Sequence, residues 1–295
     1  MPETHSSLTI VVPAYNEEAS LAVFLPELLQ FCEQRGHRLV VVNDGSADGT
    51  KAVLEKHRGH PQFGIVHHKV NRGYGGAIKS GIEAAETEFV ITVDADGQHR
   101  LEDITKLHDY LKTHDADMVV GRRTGAGGSS YRSLGKWLIR SVAKMLLPIK
   151  IHDINSGIKI YNRKLALRYL TLCPDGMPYS DIITMIFVNQ RHLVLETEVQ
   201  IRARKAGRST ISTRTAFQTV YEILNITMLF NPLKVFLPLS MICVLAGLGW
   251  GMQFMVVGKG VSIGALLAIL TGVIFFLLGL LAEQLSYIRK NQIRE

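Results

Sequence analysis

The sequence predicts an α/β protein in which a mainly parallel sheet domain is followed by a membrane-spanning hairpin of two helices. Short runs of β-branched residues alternate with amphipathic helical patterns up to about position 125. The strand-like runs are apolar throughout, as in parallel strands that are buried on both faces. Two long uncharged stretches follow towards the C-terminus, at 235–258 and 260–282.

Five short apolar runs predict the strands, and a helical pattern follows each of the first four. The strands are expected at residues 8–12, 38–42, 64–68, 88–93 and 117–121. The helices are expected at residues 17–34, 47–57, 73–86 and 101–113. This alternation is typical of βαβ units, whose helices cover both faces of a parallel sheet.

Polar segments follow the predicted strands. Ligands of such sheets lie outside the carboxyl ends of the strands, so these segments are candidates for a binding site. They comprise residues 13–17, 43–46, 94–99 and 121–123.

The two uncharged stretches predict transmembrane helices. Neither 235–258 nor 260–282 contains a charged side chain, and only Lys259 separates them. Each is long enough to cross a hydrocarbon core of about 30 Å as a helix. A buried hairpin in a soluble protein is the alternative.

The basic residues that flank the hairpin predict its orientation. Lys234 precedes the first span, and Arg289, Lys290 and Arg294 follow the second. By the positive-inside rule both ends face the cytoplasm. The expected division is a cytosolic catalytic domain (1–213), an amphipathic juxtamembrane segment (214–232), two transmembrane helices (233–288) and a cytosolic basic tail (289–295).

The net charge of +7 and the pI of about 9.3 indicate an anionic partner. No zinc-finger or RNA-binding aromatic signature is present, so nucleic acid is not expected. Residues 131–147 carry basic side chains at a spacing of four, which predicts a helix with a solvated basic face or one that lies on an anionic membrane. The three cysteines form no CxxC pair and the N-terminus has no features of a signal peptide, so the domain is expected in the cytosol.

The stretch VDADGQH (93–99) places two carboxylates at the end of a predicted strand. Residues two apart on a strand point to the same side, so Asp94 and Asp96 can converge on one cation. An EF-hand is excluded, because its sixth and twelfth loop positions would be His99 and Thr105. Two carboxylates suit Mg²⁺ or Mn²⁺ completed by water and phosphates, and an ordinary polar turn is the alternative.

The order of several motifs resembles that of a known family. The motifs are VVPAYNEE (11–18), VNDGS (42–46), NRGYGGAIKSG (71–81), VDADGQH (93–99), GRR (121–123), HDINSGIKI (152–160) and RARKAGRST (202–210). With the two spans, this set is similar to the membrane-anchored polyprenyl-phosphate glycosyltransferases, a group that includes dolichol-phosphate mannose synthase and bacterial undecaprenyl-phosphate glucosyltransferases. The resemblance implies an inverting, family-2-type enzyme with a GT-A, Rossmann-like domain.

The resemblance also implies how the donor and a metal are held. Pro13, Tyr15 and Glu17 match the family's nucleotide loop, and Asp44 matches the acid that contacts the base or ribose. A plain Asp-Gly turn is the alternative for VNDGS. The metal motif is matched by Asp94, Asp96 and Gln98, and its Mg²⁺ or Mn²⁺ would bridge the donor diphosphate. The glycines of GYGGA do not form a dinucleotide fingerprint. They are interpreted as permitting close packing beside the donor loop, and a merely structural role is the alternative.

For the acceptor, the resemblance points to arginines. A lipid phosphate carries about −1.5 to −2 charges at pH 7, so its reaction depends more on cationic side chains that position it than on a general base. Arg122, Arg132 and Arg204 match positions associated with phosphate contacts, although single basic residues are more often solvated surface charges. Asp153 could orient the acceptor, act as a base or merely form a turn. The expected catalytic residues are therefore Asp96, Asp153 and Arg122.

The implied reaction is transfer of a hexose from a UDP- or GDP-sugar to undecaprenyl or dolichyl phosphate at a bilayer, in a bacterial inner membrane. Homo-oligomerisation is left open. Ile158 and Thr210 depart from the family's usual Phe and Lys, and Thr210 puts one phosphate contact in doubt. The alternatives are a processive polysaccharide synthase or sphingolipid glycosyltransferase, and a catalytically silent membrane scaffold. The first usually carries Gln-x-x-Arg-Trp, whereas neither Trp137 nor Trp250 follows an arginine.

Overall fold

The computed structural model describes residues 8–124, 151–200, 224–225 and 227–292. The chain divides into two compact units: one comprises residues 1–128 and 149–209, and the other comprises residues 129–148 and 210–295. The boundary expected at residue 213 lies outside the described residues, so the four-part division stays a prediction. The expected basic helix at 131–147 also lies outside them.

The first unit contains a seven-stranded sheet among the described residues, in the order β3-β2-β1-β4-β6-β5-β7. Strands β1 to β4 are parallel, β6 is antiparallel to both β4 and β5, and β7 is parallel to β5. All five predicted strands are present, and β6 and β7 were not predicted. The strands are β1 (Leu8–Ala14), β2 (Arg38–Asn43), β3 (Phe63–His67), β4 (Phe89–Thr92), β5 (Met118–Thr124), β6 (Lys159–Asn162) and β7 (Val194–Gln200).

Six α-helices pack around this sheet in the described part of the unit. The four predicted helices are present, and α5 and α6 were not predicted. The helices are α1 (Glu18–Arg35), α2 (Thr50–Glu55), α3 (Tyr74–Ala84), α4 (Leu101–Thr113), α5 (Arg163–Tyr169) and α6 (Tyr179–Asn189).

The main core lies between the sheet and the helices α1 and α4. Every residue of β1 is buried, as the continuous apolar run predicts for a strand covered on both faces. On α1 the residues Leu21, Leu25 and Leu28 recur at helical spacing and are buried against the sheet. Because β1, β2 and β4 run parallel, the loops that follow them meet at one edge of the sheet.

The second unit contains a hairpin of α7 (Leu233–Val256) and α8 (Ile263–Gln292). The segments Leu233–Val256 and Ile263–Arg289 are long and apolar enough to cross a membrane, and only 17% of each most apolar window is buried. Of the expected juxtamembrane segment only 224–225 and 227–232 are described, and 227–230 are helical. Helix α8 continues past residue 289 into the predicted basic tail.

Glycines bring the two hairpin helices close together. A Cβ on Gly247 would lie 2.8 Å from Ile269 Cγ1, and one on Gly279 would lie 2.7 Å from Phe236 Cβ. Small residues at such positions allow the close helix packing that replaces the hydrophobic effect inside a bilayer.

Candidate active site

A cleft of about 650 Å³ lies at the carboxyl edge of the sheet. Its lining includes six of the residues that the sequence assigns to a site: Pro13, Tyr15, Glu17, Asp44, Asp94 and Asp96. Residues that were not predicted also line it, among them Asn71, Tyr74, Arg123, Asn155, Met177 and Ser180. The motifs at the ends of β1, β2 and β4 therefore form one surface.

The loop after β1 is held in shape by the loop after β2. Asn16 N–H donates to Ser46 Oγ at 3.0 Å, and Ala47 N–H donates to Asn16 Oδ1 at 2.9 Å. Asn16 has φ 55°, a left-handed conformation that asparagine tolerates better than most residues. These bonds fix the loop while the Tyr15 side chain remains 50% exposed in the cleft. A rigidly placed, accessible ring suits stacking on a nucleobase.

Asp44 is almost fully buried, with its side chain 3% exposed. Its Oδ1 accepts from His68 Nδ1 at 2.6 Å and from Arg72 N–H at 2.8 Å, and its Oδ2 accepts from Gly73 N–H at 2.9 Å. The carboxylate therefore joins the end of β2 to the turn before α3. Asp44 shapes the cleft wall as well as lining it.

The first turn of α3 packs tightly on the segment 174–177. A Cβ on Gly75 would overlap Pro174 O and lie 2.8 Å from Tyr179 Cβ. Gly76 N–H donates to Asp175 O at 2.9 Å. These glycines do pack closely, but on the segment 174–177, and this packing brings the 70% exposed side chain of Met177 to the cleft.

Asp94 is held by two neighbours. Tyr74 OH donates to Asp94 Oδ1 at 3.0 Å, and His99 Nε2 lies 3.5 Å from Oδ2. Burial raises the pKa of Asp94, but His99, Tyr74 and the positive charge of Arg123 outweigh this effect and bring the pKa below its usual value. Asp94 is therefore a carboxylate at neutral pH. The same surroundings, burial first, raise the pKa of Tyr74 well above its usual value, so this hydroxyl remains a donor.

Asp96 lies at the start of a tight turn. Its Oδ1 accepts from Gln98 N–H at 3.1 Å, and Gly97 has φ 66°, a conformation that glycine adopts without strain. Gln98 therefore contributes its backbone to the turn. Its side chain is not among the described residues that line the cleft.

Asp94 and Asp96 fit a partial site for a divalent cation. The described residues contain no cluster of three or more His, Cys, Asp or Glu side chains that could hold a metal alone. Two carboxylates are what Mg²⁺ or Mn²⁺ requires when phosphates and water complete the shell. Gly157 lies against Asp94, and a Cβ there would lie 2.9 Å from Asp94 Cγ and Oδ1. The space beside the carboxylate exists because residue 157 has no side chain.

The two arginines at the end of β5 lie in different surroundings, because successive strand residues point to opposite faces. Arg122 contacts Glu196 at 3.4 Å and also Glu198, both on β7. Arg123 lines the cleft. The structure thus brings Arg123, the neighbour of the predicted Arg122, to Asp94 and Asp96.

Arg123 and Asp153 form a bidentate ion pair. Arg123 Nε and Nη2 each donate to the carboxylate at 2.8 Å, and Arg123 N–H donates at 3.1 Å. Partial burial raises the pKa of Asp153, but the bonds from Arg123 more than offset this and lower the pKa below its usual value. The hydrogen bond from Arg123 to Asp153 likewise raises the pKa of the guanidinium. Asp153 is therefore a paired carboxylate that orients Arg123.

Two predicted acceptor residues, Arg132 and Arg204, lie outside the described residues. Arg123 lies in the candidate segment 121–123 but was not singled out, although strand alternation separates it from Arg122. Tyr74 lies within a motif that was quoted only for its glycines. Met177 and Ser180 have no local signal, because packing of 174–177 on α3 places them.

Comparison with known families identifies the chain. A family model described as glycosyl transferase family 2 matches residues 9–170, more than half of the chain. The chain belongs to glycosyl transferase family 2. A second model, the GtrB C-terminal hairpin, matches residues 231–288. The chain is thus a glycosyltransferase with a GT-A domain and a membrane hairpin, and both the expected fold and the expected family are confirmed.

Two curated relatives and one solved structure illustrate this membership. The chain is 28% identical to an undecaprenyl-phosphate 4-deoxy-4-formamido-L-arabinose transferase of Pectobacterium carotovorum, over 88% of the chain and 78% of the relative. It is 29% identical to a dolichyl-phosphate beta-glucosyltransferase of Trichomonas vaginalis, over 68% of the chain but only 62% of that relative. The fold is similar to that of glucosyl-3-phosphoglycerate synthase from Mycobacterium tuberculosis, solved with Mn²⁺, uridine diphosphate and phosphoglyceric acid. That likeness has a TM-score of 0.59 and 18% identity, and covers 75% of this chain and 78% of the other.

Proposed function

We propose that this family 2 glycosyltransferase transfers a hexose from a UDP- or GDP-sugar to a polyprenyl phosphate, undecaprenyl or dolichyl phosphate, with inversion at the anomeric carbon. The observation that carries the proposal is the composition of the cleft. Asp94 and Asp96 line the same cavity as the guanidinium of Arg123. A cation-binding acidic pair suits a nucleoside diphosphate, and a guanidinium suits a phosphate monoester. The names of the two curated relatives specify an undecaprenyl-phosphate and a dolichyl-phosphate acceptor, which supports a polyprenyl-phosphate acceptor here.

The donor nucleoside is assigned to the wall formed by the loops after β1 and β2. Tyr15 offers an exposed ring, and Pro13 and Glu17 lie beside it in the cleft. Asp44 holds the turn at Arg72 and Gly73, which closes this wall. Asp94 and Asp96 would hold a divalent cation, Mg²⁺ or Mn²⁺, which would supply charge neutralisation for the leaving diphosphate.

The acceptor phosphate is assigned to Arg123. An oxygen of the lipid phosphate attacks the anomeric carbon, and the bond from that carbon to the diphosphate oxygen breaks. A lipid phosphate is already largely doubly ionised at pH 7, so no proton has to be removed from it. Asp153 accordingly orients Arg123 and does not act as a base, consistent with its lowered pKa. Arg122, Arg132 and Arg204 remain predictions as further phosphate contacts.

The hairpin is assigned the role of holding the enzyme at the bilayer that carries the acceptor. Lys234 and Arg289 flank the spans, and the positive-inside rule places the catalytic domain in the cytoplasm. A bacterial inner membrane is the compartment that fits an undecaprenyl acceptor. Exposure of an epitope on the catalytic domain in sealed inside-out vesicles, and its protection in right-side-out vesicles, tests this orientation.

The test is a donor screen with the full chain in lipid nanodiscs. UDP- and GDP-sugars are offered with undecaprenyl or dolichyl phosphate, with Mg²⁺ or Mn²⁺, and products are detected by mass spectrometry. We expect one donor to give a lipid-phosphate sugar. Asp96→Asn keeps an oxygen for Gln98 N–H but loses the charge, so it should reduce transfer by about 100-fold or more. Asp109→Ala, on the exposed side of α4, is the matched control.

Absence of transfer with every donor would favour a catalytically silent scaffold. Wild-type activity in Asp96→Asn would contradict the metal assignment. A polymer of more than one sugar on the lipid would favour a processive synthase.

A further inference from the structure

Lys159 is a fully buried lysine behind the cleft, at the start of β6, with 1% of its surface exposed. Its Nζ donates to Ser180 Oγ at 2.7 Å and also to the carbonyl oxygens of Ser180 and Ile154. All three ammonium protons are thus used. Ser180 Oγ in turn donates to Ser156 O at 2.7 Å. The ammonium therefore joins the segment 153–157 to the first turn of α6.

The buried position is costly for a charged group. Burial lowers the pKa of Lys159 to about 7, although Asp181 and Asp153 act in the opposite direction. The charged groups that face it are Asp181 on α6, Asp153 on the preceding loop, Arg123 on β5 and Asp94 just after β4. An apolar side chain of similar size would avoid this cost, as substitutions of buried charges often show. Lys159 is therefore expected to have a role beyond filling space.

The peptide that Lys159 holds lies between two partners of Arg123. Arg123 Nη2 donates to the Asp153 carboxylate at 2.8 Å and to Asn155 O at 3.4 Å, and Lys159 binds Ile154 O between them. Gly157 at the other end of this segment packs against Asp94. Movement of the segment would displace the guanidinium relative to the cleft.

We propose that Lys159 is a positioning residue for the acceptor phosphate: its buried ammonium fixes the segment 153–157 and thereby sets the place of the Arg123 guanidinium. The proposal rests on the proposed function, since it assigns Arg123 to the acceptor. In this proposal, the affinity for a lipid phosphate depends on Lys159, whose side chain does not line the cleft.

The test compares ligand affinities of the full chain in detergent micelles. Undecaprenyl phosphate binding is measured by native mass spectrometry, and UDP and GDP binding, each with Mn²⁺, by calorimetry. Lys159→Met should weaken undecaprenyl phosphate binding by about tenfold, because a positioning contact is lost, and change nucleotide binding less than twofold. Lys159→Gln, which keeps two N–H donors, should weaken undecaprenyl phosphate binding by only about threefold. Lys106→Met is the control, since Lys106 Nζ also donates to a backbone carbonyl, Glu198 O at 2.6 Å, away from the cleft.

A double-mutant cycle tests the route through Arg123. In an Arg123→Gln background, Lys159→Met should change undecaprenyl phosphate affinity by less than about twofold, whereas independent effects would multiply. Fully multiplicative losses would overturn the proposal. Wild-type affinity for undecaprenyl phosphate in both Lys159 variants would overturn the proposal. Equal losses of affinity for nucleotide and for undecaprenyl phosphate would also overturn it, because they would indicate a general disruption of the fold.

The two proposals fail in different ways. If wild type transfers sugar but the Lys159 variants bind undecaprenyl phosphate normally, only the role of Lys159 is wrong. If wild type binds no undecaprenyl phosphate and transfers no sugar, the proposed function is wrong and the role of Lys159 with it. A loss confined to nucleotide binding would place Arg123 on the donor diphosphate and overturn its assignment to the acceptor.

Discussion

Replacing Gly157 by alanine should disable the acidic pair without changing any charged residue. The Cβ of alanine would lie 2.9 Å from Asp94 Cγ and Oδ1 and closer still to Oδ2. Gly157 is not among the glycines with positive φ, so backbone strain does not enter. The effect of the substitution is therefore a direct collision with the Asp94 carboxylate.

The size of the effect follows from the overlap. Ordinary van der Waals contacts of a Cβ begin at 3.4 Å, whereas Asp94 Cγ would lie 2.9 Å from the new Cβ. The carboxylate must therefore move away by several tenths of an ångström, and its nearer oxygen, Oδ2, by more. Misplacement of a reacting group by about 1 Å can reduce a rate about 100-fold. We therefore expect a loss of transfer between about tenfold and 100-fold. Overpacking should also reduce the free energy of unfolding by about 1–3 kcal/mol.

Two measurements separate these effects. Calorimetric titration of the full chain with UDP or GDP and Mn²⁺ reports the acidic pair, and thermal unfolding by circular dichroism reports the fold. The Mn²⁺ dependence of nucleotide binding should weaken in Gly157→Ala while the protein remains folded at the assay temperature.

Gly59→Ala is the matched control, because a Cβ there would meet nothing within 4 Å. It should leave nucleotide binding and transfer unchanged. Wild-type transfer and wild-type Mn²⁺ dependence in Gly157→Ala would refute the reasoning, since the carboxylate would then tolerate displacement or have no role.

Two further predictions concern the ion pair and the hairpin. Asp153→Asn should lower the free energy of unfolding at pH 7 by about 1 kcal/mol. This value is smaller than that of a buried ion pair, because the Arg123 side chain is 37% exposed and solvent screens the interaction. Arg123 lowers the folded-state pKa of Asp153, so this stability is present above the unfolded pKa of about 3.9 and is lost as the pH falls through the folded value. The difference between the two proteins in urea unfolding should therefore shrink below about pH 4; a constant difference would contradict it. In the hairpin, Gly272→Leu should lower the thermal midpoint in detergent, because a Cβ there would lie 2.9 Å from Ser240 O. Gly249→Leu, with nothing within 4 Å, should not; equal losses would contradict the packing argument.

The strands and the first wall of the cleft could be predicted because they follow local rules. Strands β1, β2 and β4 are continuous apolar runs, and in a parallel sheet the residues after each strand meet at one edge. That rule brings Pro13, Asp44 and Asp94 together without further information.

The strand-end rule does not reach the second wall of the cleft, because β6 runs in the opposite direction. An antiparallel strand begins at the edge where its neighbours end, so Asn155 and Gly157, which precede β6, line the cleft, and Asp153 pairs with Arg123 there. A search limited to residues that follow strands misses Asn155 and Gly157, whereas Asp153 was proposed only because of the family motif. Strand β6 itself is short and contains a lysine and an asparagine, so its pattern gives no strand signal.

Arg123 shows a second limit. Motif matching selected Arg122, which stays a prediction, but on a strand a shift of one residue reverses the face, and Arg123 is the arginine that lines the cleft. The Arg122 side chain pairs with Glu196 and Glu198, which lie on β7, far from Arg122 in the sequence. Such a pairing depends on the strand order and cannot be derived from local sequence.

The buried carboxylate of Asp44 limits how donor preference can be redesigned. Its oxygens are bonded to the backbone at Arg72 and Gly73, directly before Tyr74, whose hydroxyl holds Asp94. Replacing Asp44 to change the nucleobase that the cleft accepts would therefore also disturb Asp94 and Asp96. Library design for altered donors should keep Asp44 and vary the exposed positions Tyr15 and Met177, where side chains can change without releasing the turn that carries Tyr74.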